Sequence, residues 1–371
     1  PNDWAMGEAH GLEKINIFDE TAHVVEGYGR FSGAKNVYCN LTQGYRLITL
    51  LEGKRDFTSY LRLIDGRIIS HYRFRTPSMD FDERESEVDL AEGIDFDAWM
   101  KSIPDSRQLN RVSIPATHDS GATRASHDLK CQVVGVNDQL MLGYRGFDIR
   151  LRSKADGTLG VFHNDYDQFT SWENDILPIM TDFLKDNPSE TLVMIVKCEG
   201  ESPEEDAKRL AKSISDPQVT DFFVKDFNPC VTLGEVRGKI LFFFRTAPAI
   251  DKYPGALCSQ WNDSGIYDIT LTGSNGMSAK ALVEDNYAYR YKWNSPSKVA
   301  ETVKNIITAM AEPKNSPKWF LSFASASAAP GDGPRDFANI INPAVATELQ
   351  LLKGSFGIVL MDMAATPAAR A

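Results

Sequence analysis

The chain has 371 residues, 42% hydrophobic and 25% charged, with a formal net charge of −11; at about 100–200 residues per domain this is one large domain or two smaller ones. The acidic balance argues against nucleic acid as a partner, since phosphate backbones need a basic face, and against simple electrostatic adsorption to anionic lipid. No apolar run approaches the roughly 18 residues of a membrane span, and Pro1-Asn2-Asp3-Trp4 lacks the charged-then-apolar pattern of a signal peptide.

The first 78 or so residues read as β-rich. Tyr45 to Leu51 is a short strand candidate. Thr58 to Ile64 and Arg67 to Phe74 flank Asp65-Gly66, a two-residue hairpin signal. His10, His23 and His71 are isolated there and form no catalytic group. From Asp80 to Asp97, nine acidic residues stand against Arg84 alone, which reads as a solvated linker. The expected division is therefore a β-rich N-terminal domain plus acidic linker over 1–90 and a second domain over 91–371.

From Trp99 onward, strand and helix patterns alternate. Strands are predicted at Tyr144 to Arg152, Thr191 to Lys197, Lys239 to Arg245, Ala281 to Tyr287, Trp319 to Phe323 and Phe356 to Met361. Trp172 to Lys185 is an amphipathic helix stopped by Asn187-Pro188. Ser202 and Glu205 form a capping-box pattern with Pro203 at the first helical position. Ser295-Pro296 opens a helix expected to bury Val299, Val303, Ile306, Ile307 and Met310. A last helix runs from about Ala344 to Leu352. Such alternation implies a parallel sheet covered by helices. A TIM-type barrel fits the length, and an open doubly wound sheet is the alternative. There is no GxGxxG or P-loop to support nucleotide binding.

Five cysteines (Cys39, Cys131, Cys198, Cys230, Cys258) contain no CxxC pair, so they read as scattered buried thiols. The Asn40 and Asn262 sequons are too common a pattern to decide the compartment.

Charged residues recur at the predicted strand ends. His118-Asp119 follows Val112-Ser113-Ile114, Asp148 and Arg150 lie late in a strand, and His163 follows Leu159-Gly160-Val161-Phe162. Lys197, Arg245, Asp285, Tyr287 and Asp362 end or follow other apolar runs. Singly, such a charge is usually just where the chain meets water. As a set they need one explanation, and in a barrel these ends converge on the active-site face.

The segments Trp99-Met100, Ile103-Pro104-Asp105-Ser106 and Ser113-Ile114-Pro115-Ala116-Thr117-His118-Asp119-Ser120-Gly121 resemble the opening of bacterial phosphatidylinositol-specific phospholipases C. The likeness continues through Phe147-Asp148-Ile149-Arg150, Phe183 to Thr191, Gly238-Lys239-Ile240, Glu284-Asp285-Asn286-Tyr287 and Ile341-Asn342-Pro343. The resemblance implies a distorted (β/α)8 TIM-type barrel behind the smaller β-rich domain. It implies a lyase that cleaves the phosphoric diester of phosphatidylinositol, giving inositol 1,2-cyclic phosphate and diacylglycerol.

By the same resemblance, His118 is general base with Asp362 as its partner. His163 is general acid, assisted by Asp119, with Asp148 holding its ring. Arg150 neutralises the phosphate oxygens; Lys197, Arg245 and Asp285 bind inositol hydroxyls, and Tyr287 stacks under the sugar ring. Eukaryotic relatives use a calcium ion, and Arg150 stands where one of its ligands would be expected; a guanidinium there would repel the ion. No metal and no other cofactor is therefore expected. The resemblance also implies a secreted monomer that meets membranes transiently. Ala116 replaces the usual Gly and Asn164 the common Gly after the acid; His127 has no counterpart. Alternatives are a same-fold phosphodiesterase acting on glycosyl-phosphatidylinositol anchors or another lipid, a non-catalytic lipid- or glycan-binding barrel, and an N-terminal domain that delivers the barrel to its target.

Overall fold

In the computed structural model the described residues are 96–124, 128–328 and 331–366, with four strands before them. His10, His23, Cys39, Asn40, the Asp65-Gly66 turn and His127 lie outside the described residues. The chain divides into two units, Pro1–Glu92 and Gly93–Ala371.

In the first unit, β1 (Tyr45–Leu47), β2 (Thr58–Leu63), β3 (Ile68–Tyr72) and β4 (Ser86–Val88) form an antiparallel sheet in that order. Arg62 pairs with Ile68 in the hairpin anticipated around Asp65-Gly66. The acidic stretch is more than a linker, because its Ser86–Val88 segment pairs with β3.

The second unit holds β5 (Ile114–Thr117), β6 (Gly146–Ser153), β7 (Leu159–His163), β8 (Tyr166–Ser171), β9 (Thr191–Cys198), β10 (Lys239–Phe244), β11 (Ala256–Ser259), β12 (Gly265–Gly273), β13 (Ser278–Asp285), β14 (Trp319–Ala324) and β15 (Ile358–Met361). The order β5-β15-β14-β13-β12-β11-β10-β9-β6 closes on itself through β5–β6 pairing. All of these run parallel except β12, which is antiparallel to both neighbours. The cause is local. Asn275-Gly276, a strong hairpin signal, joins β12 directly to β13, with Gly276 at φ 83°. The expected TIM-type barrel is therefore present, distorted by one inserted strand.

The helices outside are α1 (Val136–Met141), α2 (Leu177–Asp186), α3 (Pro203–Ile214), α4 (Leu233–Val236), α5 (Ser295–Ala311) and α6 (Pro334–Gln350). Three expectations change. Ser202 precedes α3 but makes no side-chain cap bond. On α5 the buried face is rotated toward Lys298, Thr302, Asn305 and Ile306, while Ile307 is exposed. The cause is Glu284, a buried carboxylate on β13 that pairs with Lys298 and accepts from Thr302 at 2.9 Å. Burying that carboxylate without partners would cost more than exposing one isoleucine. Finally, α6 begins ten residues before Ala344, at Pro334, and continues through Pro343.

Strand periodicity explains how the barrel carries a site. Alternate residues face the interior. On five strands the sequence i, i+2, i+4 reads apolar, apolar, charged: Ile114-Ala116-His118, Val193-Ile195-Lys197, Leu241-Phe243-Arg245, Ala281-Val283-Asp285 and Ile358-Leu360-Asp362. The apolar members form the buried interior core with Leu321 and Phe323. The fifth residue of each series stands above that core, at the mouth.

The opposite end is sealed by Arg145. Its Nε donates to Glu190 at 2.8 Å, and its remaining nitrogens donate to the carbonyls of Leu140, Tyr144, Phe96 and Asp97. Both charges are fully buried, and the guanidinium lies 4.6 Å over the Phe183 ring.

Candidate active site

β5 and β6 pair at only two positions, Ala116↔Gly146 and Thr117↔Phe147. Beyond Thr117 the strands part, and β6 takes β7 as its neighbour from Leu151. Polar bonds bridge the gap. The Ser120 N–H donates to the Asp148 carbonyl at 2.7 Å, and the Asp148 N–H to Ser120 Oγ at 2.9 Å. The Asp119 N–H donates to Asp148 Oδ2 at 3.1 Å. Asp119 itself is left-handed, φ 38°, a conformation that Asp tolerates better than most side chains but that still stores strain.

His118 stands at one bank of this seam. Its Nδ1 is 2.8 Å from Asp362 Oδ1, and its Nε2 is 3.0 Å from Arg150. The edge of Phe323 packs against the ring. Burial opposes charge on the imidazole, but Asp362 outweighs it, so the ring sits above the ordinary histidine value. Gln132 steadies this bank by donating to the carbonyls of His118 and Met361 at 2.7 and 2.9 Å, while its own oxygen accepts from the Ala364 N–H.

Arg150 crosses the seam between two fully buried carboxylates, 3.5 Å from Asp119 Oδ2 and 3.4 Å from Asp148 Oδ2. Desolvation would lower its pKa, but Asp119, Asp148 and Glu199 raise it further, so it stays a cation. Burial pushes the Asp119 carboxyl up despite Arg150 and His163. Asp148 shifts the other way, because Arg150 and Arg245 outweigh its desolvation.

His163 ends β7 on the far bank. Its Nδ1 lies 3.3 Å from Asp119 Oδ2 and 2.6 Å from the Leu129 carbonyl. Asp119 and Leu129 therefore meet the ring where Asp148 was expected; Asp148 instead holds the Asp119 backbone and Arg150.

The four expected headgroup ligands line the same mouth but do not touch one another. Lys197 Nζ pairs with Glu199 at 2.7 Å. The Arg245 guanidinium lies 4.2 Å over the Trp261 ring. Asp285 is buried, and desolvation raises its carboxyl against the pull of Arg245. The Tyr287 hydroxyl donates to Asp263 at 3.1 Å. Glu199, Trp261, Cys131 and Gln132 were missed from the sequence. A charge pair at alternate positions, Lys197 and Glu199, was the legible clue to the first; the others arrive on loops without a pattern.

Among the described residues, no helix is long and apolar enough to cross a membrane.

No family model matches the chain. It is 27% identical over 285 residues to the 1-phosphatidylinositol phosphodiesterase of Staphylococcus aureus (strain Newman), covering 72% of this chain and 88% of that protein. The enzyme of that name from Listeria monocytogenes is 28% identical over 280 residues, covering 71% and 80%. A solved phosphatidylinositol-specific phospholipase C from S. aureus superposes with a TM-score of 0.64 at 23% identity, covering 74% of this chain and 96% of that one. The L. monocytogenes structure gives 0.59 at 24% identity, covering 75% and 97%. In sequence over 72% of its length and in fold over 74%, the chain is similar to the bacterial phosphatidylinositol-specific phospholipases C.

Proposed function

We propose that residues 91–371 form a metal-independent phosphatidylinositol-specific phospholipase C. The observation that carries the reading is His118, clasped between Asp362 and Arg150 and facing the Asp119–His163 pair across the seam. In phosphatidylinositol the inositol 2-hydroxyl lies beside the phosphate. The Asp362 carboxylate holds the proton on His118 Nδ1, which leaves the Nε2 lone pair as acceptor. In the structure Arg150 donates to that nitrogen at 3.0 Å. When the phosphate takes the guanidinium, Nε2 is released to the 2-hydroxyl.

His118 then removes the hydroxyl proton as the oxygen–phosphorus bond forms. The bond from phosphorus to the glycerol oxygen breaks, and His163 protonates the departing diacylglycerol. The Leu129 carbonyl anchors Nδ1–H of His163, so Nε2 is the nitrogen that delivers the proton. Each proton transfer is worth roughly 10²–10⁴-fold. Arg150 balances the growing charge on the phosphate oxygens with a fixed fork of donors. That cation supplies the positive charge a divalent metal would otherwise bring.

Lys197, Arg245 and Asp285 bind the inositol hydroxyls, with Tyr287 under the ring. The resemblance to the bacterial enzymes supports a monomer. With net charge −11, bilayer contact must be apolar and transient. Exposed Tyr166, beside the β7–β8 turn, and exposed Trp293, after β13, supply such contact. The same resemblance supports a secreted enzyme.

Phosphorus NMR on phosphatidylinositol tests the reading. Inositol 1,2-cyclic phosphate appears first. Direct formation of inositol 1-phosphate, with no cyclic species, would overturn it.

A further inference from the structure

Cys131 has no part in the proposed chemistry, yet it is fully buried beside both halves of it. Its Sγ lies 3.8 Å from His163 Nδ1, which lies 3.3 Å from Asp119 Oδ2. One ligand atom from each of Asp119, Cys131 and His163 falls within 4.8 Å of the others, and Cys131 makes the same kind of group with His118 and Asp362.

Tetrahedral zinc, with Zn–S of about 2.3 Å and Zn–N or Zn–O of about 2.0–2.1 Å, sets S···N and N···O separations of about 3.6 and 3.3 Å. The observed 3.8 and 3.3 Å are close to these. A second observation is independent of the cysteine. Asp119 is completely buried; its Oδ1 has no hydrogen-bond partner, and its Oδ2 has only the ion-pair contacts to Arg150 and His163 at 3.5 and 3.3 Å. Asp362 Oδ2 also has no hydrogen-bond partner. Buried carboxylate oxygens normally find donors, so Asp119 Oδ1 and Asp362 Oδ2 point to a further ligand beyond Arg150 and His118.

We infer that Asp119, Cys131 and His163 form a site for a soft divalent cation, zinc in the first instance, whose occupancy blocks catalysis. A thiolate, a carboxylate and an imidazole are a borderline-soft donor set, one that selects zinc over calcium or magnesium. Thiolate and carboxylate together neutralise the ion, and Asp148 remains to balance Arg150. The contact that competes is the Leu129 carbonyl, 2.6 Å from His163 Nδ1. It holds a proton on that nitrogen in the metal-free protein, and the cation displaces this proton together with the thiol proton. With Nδ1 and Asp119 both on the metal, His163 is no longer held by the Leu129 carbonyl and Asp119 in the position from which it delivers a proton. Cleavage stops without any change in the headgroup pocket.

Binding does not depend on the proposed reaction; the inhibitory half rests on His163 acting as the acid. Cobalt(II), a spectroscopic substitute for zinc, is titrated into the full chain, and zinc-loaded protein is measured by zinc-edge X-ray absorption. The expected results are one ion per chain, a thiolate-to-cobalt charge-transfer band displaced by zinc, and one sulfur in the zinc shell. Cys131→Ser abolishes the band. It also weakens zinc by more than the roughly 10–100-fold that loss of an outer-sphere partner costs. Zinc inhibits phosphatidylinositol cleavage by the native chain, EDTA reverses it, and Cys131→Ser resists it. A sulfur-free zinc shell overturns the site even if the variant does not fold. An intact site with undiminished cleavage overturns the switch. Absence of any cleavage before zinc is added counts against the phospholipase reading alone, because the band still decides the site.

Discussion

A Cβ on Gly146 would stand 2.5 Å from the Cβ of Ala116, at the first of the two pairings that join β5 to β6. Gly146 is what makes room for Ala116. Gly146→Ala should destabilise the chain by about 1–3 kcal/mol through overpacking. Adding Ala116→Gly should restore most of the loss. Urea unfolding of both single variants and the double variant measures the coupling. Strictly additive effects would show that the two residues do not share the space.

The pH profile should report the Asp362–His118 pair. The base works only when neutral, and Asp362 holds the His118 ring above the ordinary histidine value. The acid limb of kcat/KM should therefore lie above about pH 6.5, the unperturbed histidine pKa. Asp362→Asn removes the carboxylate, so the limb should move to lower pH while the plateau falls by roughly 10²–10⁴-fold. A limb that stays in place would assign the titration to another group.

Arg150→Lys should behave as a severe change. A point ammonium cannot meet Asp119, Asp148 and the phosphate with one planar fork. Loss of a single preorganised donor to developing charge costs roughly 10²–10³ in kcat. EDTA should leave the unsubstituted enzyme fully active. Loss of cleavage in EDTA, restored by calcium, would refute metal independence.

Arg145 and Glu190 lie at the opposite end of the barrel from the mouth. Glu190→Ala leaves a buried guanidinium without its carboxylate, which should cost about 3–5 kcal/mol. Activity per folded molecule at low temperature should barely change. Thermal unfolding with parallel activity measurements separates the two effects.

Much of the site was legible because strand periodicity and chemistry coincide. Ile358-Leu360-Asp362 and Leu241-Phe243-Arg245 each place a charge two residues beyond an interior apolar side chain. A core does not accept a charge in that register, so the position must open to a mouth. Other parts were hidden for equally physical reasons. β12 is not among the predicted strands, and only Asn275-Gly276 betrays that it turns straight into β13. The inward face of α5 was misjudged because its partner is Glu284 on a distant strand. The expected last helix opens at about Ala344, yet the helix runs from Pro334 to Gln350 with Pro343 inside it. Cys131 reaches the site on an irregular loop whose backbone is held by the Ala122 carbonyl, and no local pattern encodes that.

The short pairing between β5 and β6 carries one more consequence. His118, the proposed base, directly follows β5, while His163, the proposed acid, ends β7, which is tied to β6. Their separation is therefore set by one of the two shortest rungs of the closed sheet, the other being β10–β11, rather than by the rigidity of the whole. Local opening there needs far less free energy than global unfolding. On warming, or in low denaturant, turnover should fade while the far-ultraviolet signal of the sheet and helices is still intact. The reaction would then serve as a gauge of when the cylinder first comes unbuttoned.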